Sequence, residues 1–180
     1  SSAASDVYKR QSFLGSRGDF SIVAPACYTG AFDGFYEDGT ENPEKLGQGA
    51  TEGKHEKIDH LMMDGKSVFL FAIDIIPKCI EGILKKTGER LEEIDHVVCH
   101  QANSRIIRNV VRHLKAEPGQ FFEDMELYGN TSGASIPIAL KDMEEQGLLK
   151  TGEKLLLIGF GAGLTFGAVE IVYGKNTEKK

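Results

Sequence analysis

The chain lacks the residue patterns that mark secreted, membrane-spanning and metal-binding proteins. It has three cysteines in 180 residues, Cys27, Cys79 and Cys99, and their odd number and wide spacing indicate neither a disulfide framework nor a zinc motif. No apolar run approaches the roughly 20 residues of a membrane helix, and no signal peptide opens the sequence. These absences predict a cytoplasmic protein with no metal site and no membrane contact.

The chain also lacks the excess of positive charge that general nucleic-acid binders carry. It has 27 acidic and 21 basic residues, for a formal net charge of −6. Hydrophobic residues make up 41% and charged residues 27%, values that are ordinary for a globular protein. A length of 180 residues is enough for one domain with a substantial core.

Hydrophobic periodicity predicts an α/β domain in which helices pack on a mixed sheet. The predicted elements are a strand at 20–27, a helix from about 66 to 88, a strand at 94–100, a helix capped by Asn103, a helix at about 134–145, and strands at 155–160 and 164–172. Residues 1–11 show no periodicity and are predicted to be disordered or non-native, so the domain is placed at 12–180. Residues 28–60 are predicted to be a long surface excursion, and 175–180 a frayed tail.

Two short segments carry the predicted chemistry. His100 closes an apolar strand and is followed by Gln-Ala-Asn-Ser-Arg, and Asn130 lies in the turn Gly-Asn-Thr-Ser-Gly. Taken alone, each residue has an ordinary structural explanation, as a strand-end histidine and a turn asparagine. Taken together, they offer two neutral N–H donors for one oxygen, which suits a thioester carbonyl that becomes an enolate.

A stripe of arginines begins beside His100. Arg105, Arg108 and Arg112 are spaced i, i+3 and i+7, so they share one face of the predicted helix. Such a stripe is usually a solvated surface. In an acidic protein and beside a candidate site, it can instead steer an acidic partner or bind phosphate.

No nucleophile accompanies the His–Asn pair. Cys27 and Cys79 are predicted core residues, and strand alternation points the Cys99 side chain away from His100. The glycine-rich run at 159–163 precedes a strand, so it does not fit a dinucleotide-binding loop. Its glycines better suit a close approach of backbone N–H groups to a substrate oxygen.

In these residues the chain resembles the C-terminal half of a β-ketoacyl-acyl carrier protein synthase III, a condensing enzyme of the thiolase fold. The resemblance covers roughly residues 20–173 and is carried by four motifs: His60-Leu-Met-Met-Asp-Gly65, His100-Gln-Ala-Asn-Ser-Arg-Ile-Ile107, Tyr128-Gly-Asn-Thr-Ser-Gly-Ala-Ser-Ile-Pro137 and Gly159-Phe-Gly-Ala-Gly-Leu-Thr-Phe-Gly167. It implies a thiolase-like layered half-domain with a mixed sheet packed by helices.

The resemblance also implies roles for individual residues. His100 and Asn130 are implied to hold the malonyl thioester oxygen, and the backbone N–H of Ala162 to form an oxyanion hole. Residues implied to line the acyl pocket are Leu61, Met63 and Phe160. Residues implied to contact the carrier protein or substrate are Gln101, Ala102, Asn103, Ser104 and Arg105, extended by Arg108 and Arg112.

The implied reaction joins an acyl group from coenzyme A, usually acetyl, to malonyl-acyl carrier protein with loss of carbon dioxide, the step that starts fatty-acid synthesis. Coenzyme A and phosphopantetheine thioesters are implied substrates, with no bound cofactor. The family's nucleophilic cysteine belongs to an N-terminal half-domain that has no match here, so the chain alone is predicted to be inactive in acyl transfer. The resemblance also implies that the complete parent protein is a homodimer. Alternatives are a polyketide-type condensing enzyme and a non-catalytic half-subunit that binds carrier protein.

Overall fold

The computed structural model describes residues 7–19, 22–23 and 62–174. Its strands are β1 (Val7–Asp19), β2 (Ile22–Val23), β3 (Met62–Met63), β4 (His96–Cys99), β5 (Lys154–Gly161) and β6 (Gly163–Tyr173). Its α-helices are α1 (Gly65–Thr87), α2 (Ser104–Leu114), α3 (Met125–Tyr128) and α4 (Ser135–Glu145). Short 3₁₀ helices lie at Leu91–Glu93, Pro118–Gln120 and Ser132–Ala134.

The main sheet has four strands in the order β1-β6-β5-β4. β4 and β5 are parallel, whereas β6 is antiparallel to both β5 and β1. The predicted mixed sheet is therefore confirmed. Because β4 and β5 run the same way, the residues that follow β4 lie beside the last residues of β5, and this edge carries the candidate site.

Helices cover both faces of the sheet. Alternate residues of the central strands point to opposite faces, so Val97 of β4 and Leu156 of β5 join the larger core with α1 and α2. Their neighbours Val98 and Leu157 meet α4 on the other face. The predicted layered α/β arrangement is thus confirmed, and none of the described helices is long and apolar enough to span a membrane.

The long helix α1 supplies one wall of the larger core. Asp64 caps its first turn by accepting the backbone N–H of Lys66 at 3.0 Å, and Gly88 ends it in the left-handed conformation at φ 76°. The helix is continuous through the buried Pro77. The predicted start and end of this helix are confirmed.

The strand β1 corrects the prediction for the first residues of the domain. The prediction of a disordered segment up to Gln11 is wrong for residues 7–11, because they belong to the strand that pairs with β6. The alternative, that residues 1–11 are non-native, stays a prediction. The pairing uses backbone groups, which need no apolar alternation, and so the hydrophobic pattern did not reveal it. Phe13 anchors the strand against Gly82 of α1, where a Cβ atom would lie 2.6 Å from the Phe13 ring.

Part of the predicted organisation lies outside the described residues. Of the strand predicted at 20–27, the structure describes Ile22–Val23, which pairs with β3. Cys27, the whole excursion at 28–60 and the tail at 175–180 are not described. The predictions for those residues stay predictions.

Candidate active site

His100 lies directly after β4, at the carboxyl end of the parallel strand pair. Its backbone N–H donates to the carbonyl of Ile158 in β5 at 2.7 Å, which continues the pairing of the two strands. Its half-buried ring meets the Phe160 ring edge-on, with the centroids 5.3 Å apart. Both the backbone and the ring of His100 are therefore held against β5.

A serine that sequence reasoning missed completes the surroundings of His100. The Ser135 hydroxyl oxygen, on the first residue of α4, lies 2.6 Å from His100 Nδ1, and Ser135 is 2% exposed. Burial lowers the pKa of His100 below its usual value, so the ring is neutral at pH 7. The available signal was a hydroxyl at a helix start, in the motif that contains Asn130.

Asn130 lies in an exposed turn between α3 and α4. Its Oδ1 accepts the backbone N–H of Ser132 at 2.9 Å, as in an Asx turn. The side-chain amide nitrogen has no hydrogen-bond partner among the described residues. The turn continues through the 3₁₀ helix into Ser135, whose hydroxyl contacts the His100 ring. One short segment therefore carries both Asn130 and the serine that contacts His100. No hydrogen bond links these two side chains in the part of the chain that the structure describes, and their pairing stays a prediction.

Gln101 has a structural role instead of the predicted contact role. It is 1% exposed, and its amide nitrogen donates to the carbonyls of Cys99 at 3.0 Å and Phe122 at 3.2 Å. Its amide oxygen accepts the backbone N–H of Asp124 at 3.4 Å. Because these contacts occupy both ends of a buried amide, the prediction that Gln101 meets a carrier or substrate is wrong.

The next four residues build the start of α2. Asn103 caps the helix by accepting the backbone N–H of Arg105 at 2.9 Å, as predicted. Ala102 is half-buried against the larger core, and the Ser104 hydroxyl lies 3.8 Å from the Met125 sulfur. Arg105 is exposed, and of these four it presents the one charged side chain to the surface.

A surface groove of about 640 Å³, here called the basic groove, runs along α2. Its lining residues are Phe69, Arg105, Arg108, Asn109, Val111, Arg112, Pro118, Phe121 and Glu123. The predicted stripe is confirmed as one face, since all three arginines line the groove and are exposed. Arg108 Nε lies 4.0 Å from the Glu123 carboxylate. The groove combines apolar walls with positive charge, which suits a ligand with phosphate or carboxylate groups.

Ala162 forms the tip of the hairpin between β5 and β6, and it is exposed. Its carbonyl accepts the backbone N–H of Thr165 at 3.2 Å and the Thr165 hydroxyl at 2.9 Å. Its own N–H has no hydrogen-bond partner among the described residues. That leaves the donor open for the predicted oxyanion role.

The predicted acyl-pocket residues fall in different places. Phe160 contacts the His100 ring, as the resemblance implied. Met63 is 59% exposed and belongs to β3, which forms a separate two-stranded sheet with β2. Leu61 lies outside the described residues.

The two described cysteines are poorly suited to act as nucleophiles. Burial raises the pKa of the Cys99 thiol to about 12 and that of Cys79 to about 11, so neither forms a thiolate at neutral pH. Both are core residues, as was predicted for Cys79. His96 lies 3.4 Å from Glu153, and no group of three or more metal-ligating side chains occurs in the described ranges.

Comparison with known proteins identifies the wider family. Residues 84–173 match the family model for the 3-oxoacyl-[acyl-carrier-protein (ACP)] synthase III C terminal. The β-ketoacyl-[acyl-carrier-protein] synthase III of Clostridium novyi is 49% identical over 115 residues, which are 64% of this chain and 36% of that enzyme. The synthase of Clostridium tetani is 43% identical over 131 residues, 72% of this chain and 39% of the enzyme.

Solved structures agree with these sequence relatives. The synthase III of Thermus thermophilus superposes with a TM-score of 0.73 at 32% identity, covering 92% of this chain and 46% of that one. The Pseudomonas aeruginosa enzyme gives a TM-score of 0.70 at 30% identity, with 92% and 44% covered. The chain thus spans less than half the length of these relatives. The thiolase-like half-domain is confirmed, and the chain belongs to the 3-oxoacyl-[acyl-carrier-protein] synthase III family, whose C-terminal part it matches.

Proposed function

We propose that this chain supplies the decarboxylating half of a β-ketoacyl-acyl carrier protein synthase III, an acyltransferase that starts fatty-acid synthesis. The observation that carries the proposal is the setting of His100. A neutral ring is fixed at the end of the parallel strands, and its Nδ1 contacts the first residue of the helix that follows the Asn130 turn. The Asn130 amide is proposed as the second donor beside this ring, because two neutral N–H groups suit an oxygen that gains negative charge.

In the proposed reaction, the bond between the malonyl α-carbon and its carboxylate breaks and carbon dioxide leaves. The electron pair of that bond moves into the thioester, whose oxygen becomes an enolate held by the N–H groups of His100 and Asn130. The α-carbon then attacks the carbonyl of an acyl-cysteine, a carbon–carbon bond forms, and the cysteine leaves as thiolate. A single preorganised donor of this kind is worth about 3–4 kcal/mol.

The remaining parts of the site have proposed roles in holding the acyl-cysteine. The open N–H of Ala162 serves the oxyanion of the attacked carbonyl. Phe160 packs against His100 and limits the space beside it, and Leu61 and Met63 contribute to the acyl pocket. Ser104 and Ala102 line the approach to His100, where the thioester arm would pass.

The basic groove is the proposed docking surface for acyl carrier protein. Arg105, Arg108 and Arg112 present their charges on one face that starts near His100. An acidic partner that carries phosphopantetheine has the complementary charge. Docking there would direct the thioester arm toward the carboxyl end of β4.

The nucleophile is proposed to come from an N-terminal half-domain like that of the relatives. Cys79 and Cys99 are buried with raised pKa values, and Cys27 lies outside the described residues. We expect the chain to need that half-domain for acyl transfer. The complete protein is proposed to be a cytoplasmic homodimer that uses coenzyme A and phosphopantetheine thioesters as substrates, with no resident cofactor.

A chimera tests the proposal directly. Residues 62–174, the long continuous stretch that the structure describes, replace the corresponding segment of the Clostridium novyi synthase. The chimera is expected to release labelled carbon dioxide from malonyl-acyl carrier protein and to form the condensation product. Labelled acetyl on its cysteine measures the acylation half-reaction separately.

Two outcomes separate the proposal from the remaining alternative. His100→Ala should slow carbon dioxide release by about 10²–10³-fold and leave acetylation of the cysteine intact. His113→Ala, at an exposed position on α2, should affect neither. A folded chimera that binds carrier protein and is acetylated, but releases no carbon dioxide, would support the non-catalytic half-subunit instead.

The named relatives favour the fatty-acid enzyme over a polyketide-type one.

A further inference from the structure

The hydroxyl group of Ser135 is enclosed and has two polar neighbours. Its oxygen lies 2.6 Å from His100 Nδ1 and accepts the backbone N–H of Gln101 at 3.3 Å. Ser135 is 2% exposed, so solvent offers it little alternative. A hydroxyl has one proton and two lone pairs, so its proton needs one acceptor.

His100 Nδ1 is the one acceptor that lies within hydrogen-bonding distance of this hydroxyl among the described residues. The Gln101 neighbour is an N–H and can only donate. If Nδ1 carried a proton, the Ser135 hydroxyl would face two donors, and its own buried proton would have no acceptor. Leaving a buried donor unpaired costs stability.

The backbone around Gln101 strengthens this constraint. The buried side-chain amide of Gln101 donates to the carbonyls of Cys99 and Phe122, which fixes the position of this residue. Its backbone N–H is thereby held toward the Ser135 oxygen. One lone pair of the Ser135 hydroxyl therefore accepts the Gln101 backbone N–H. Ser135 is also the first residue of the 11-residue helix α4, whose positive N-terminal end disfavours a protonated histidine beside it.

We infer that Ser135 is a positioning residue: its O–H donates to His100 Nδ1 and fixes the tautomer that carries the proton on Nε2. The Nε2 atom makes no hydrogen bond to any described residue, so its N–H is left for a ligand oxygen. The use of the Nε2 N–H to hold a thioester oxygen rests on the proposed function. The inference that the proton lies on Nε2 does not depend on that function.

Long-range proton–nitrogen NMR correlation on the full chain tests the inference, because the two ring nitrogens differ strongly in shift when one is protonated. In the native chain at pH 7, His100 should show a protonated Nε2 and an unprotonated Nδ1. Ser135→Ala should move the two nitrogen shifts toward each other as the second tautomer becomes populated. Ser135→Thr, which keeps the hydroxyl, should restore the native pattern.

The matched control is Ser16→Ala in β1, which removes an exposed hydroxyl and should leave the His100 spectrum unchanged. A protonated Nδ1 in the native chain would overturn the inference outright, and so would native shifts in a folded Ser135→Ala variant. If Ser135→Ala does not fold, the native spectrum and Ser135→Thr still decide the question.

The kinetic test distinguishes this inference from the proposed function. In the chimera, Ser135→Ala should lower kcat for carbon dioxide release by about tenfold with KM nearly unchanged, less than the 10²–10³-fold expected from loss of a whole donor. An inactive native chimera would remove the proposed function and leave the tautomer result standing. A fully active Ser135→Ala chimera would remove the positioning role alone.

Discussion

His100 and Asn130 belong to one candidate site, but the fold holds them in opposite ways. His100 continues the β4–β5 pairing, packs on Phe160, and contacts a buried serine. Asn130 lies in an exposed turn and is fixed by one hydrogen bond to its own backbone segment. The difference shows that one donor is built into the sheet, whereas the other depends on a local turn.

The largest expected effect is that of removing the donor built into the sheet. His100→Ala in the chimera should lower the rate of carbon dioxide release by about 10²–10³-fold, because one preorganised donor to the enolate is lost. Labelled carbon dioxide release against carrier concentration measures the effect. A loss of less than fivefold in a folded variant would mean that His100 is not such a donor.

Asn130 allows the turn and the donor to be separated. Asn130→Asp keeps the oxygen that accepts the Ser132 N–H but replaces the amide N–H₂ by a carboxylate oxygen. We expect about a hundredfold slower carbon dioxide release with an unchanged thermal midpoint. Asn130→Ala should lower both. If Asn130→Asp retains full activity, the side chain acts through the turn and not as a donor.

Gln101 and Asn103 sharpen the contrast between buried and exposed parts of the same segment. Gln101→Ala leaves the buried carbonyls of Cys99 and Phe122 unpaired and should cost about 1–3 kcal/mol of unfolding free energy. Asn103→Ala removes an exposed helix cap and should cost about 1 kcal/mol. Urea unfolding of the full chain compares the two variants. A smaller cost for Gln101→Ala than for Asn103→Ala would contradict the structural role assigned to the Gln101 amide.

The smallest effect should appear in the pH dependence of stability. Burial lowers the pKa of His100 in the folded chain below its unfolded value near 6.5, so the unfolded state binds the proton more readily. This contribution to stability is present above pH 6.5 and is lost as the pH falls through the lower folded pKa. His100→Asn should flatten that part of the thermal-midpoint profile; an unchanged slope would show that His100 does not cause it.

The sequence predicted the elements whose apolar residues are periodic. The span of α1, the Asn103 cap of α2 and the run that forms β5 each depend on local sequence, and all three are confirmed. It did not predict β1, whose pairing with β6 depends on backbone groups. The resemblance also implied that Gln101 contacts a partner, whereas the structure buries its side chain, and the local sequence gives no sign of that burial.

The sequence by itself determined the layered α/β class, the two motifs of the site and the arginine stripe, because residue type and periodicity encode these features locally. The tertiary structure decided that Ser135 meets His100, that Gln101 turns inward, and that the arginines line one groove. These are contacts between segments far apart in the chain. Their geometry depends on how the helices and strands pack, which no local pattern specifies.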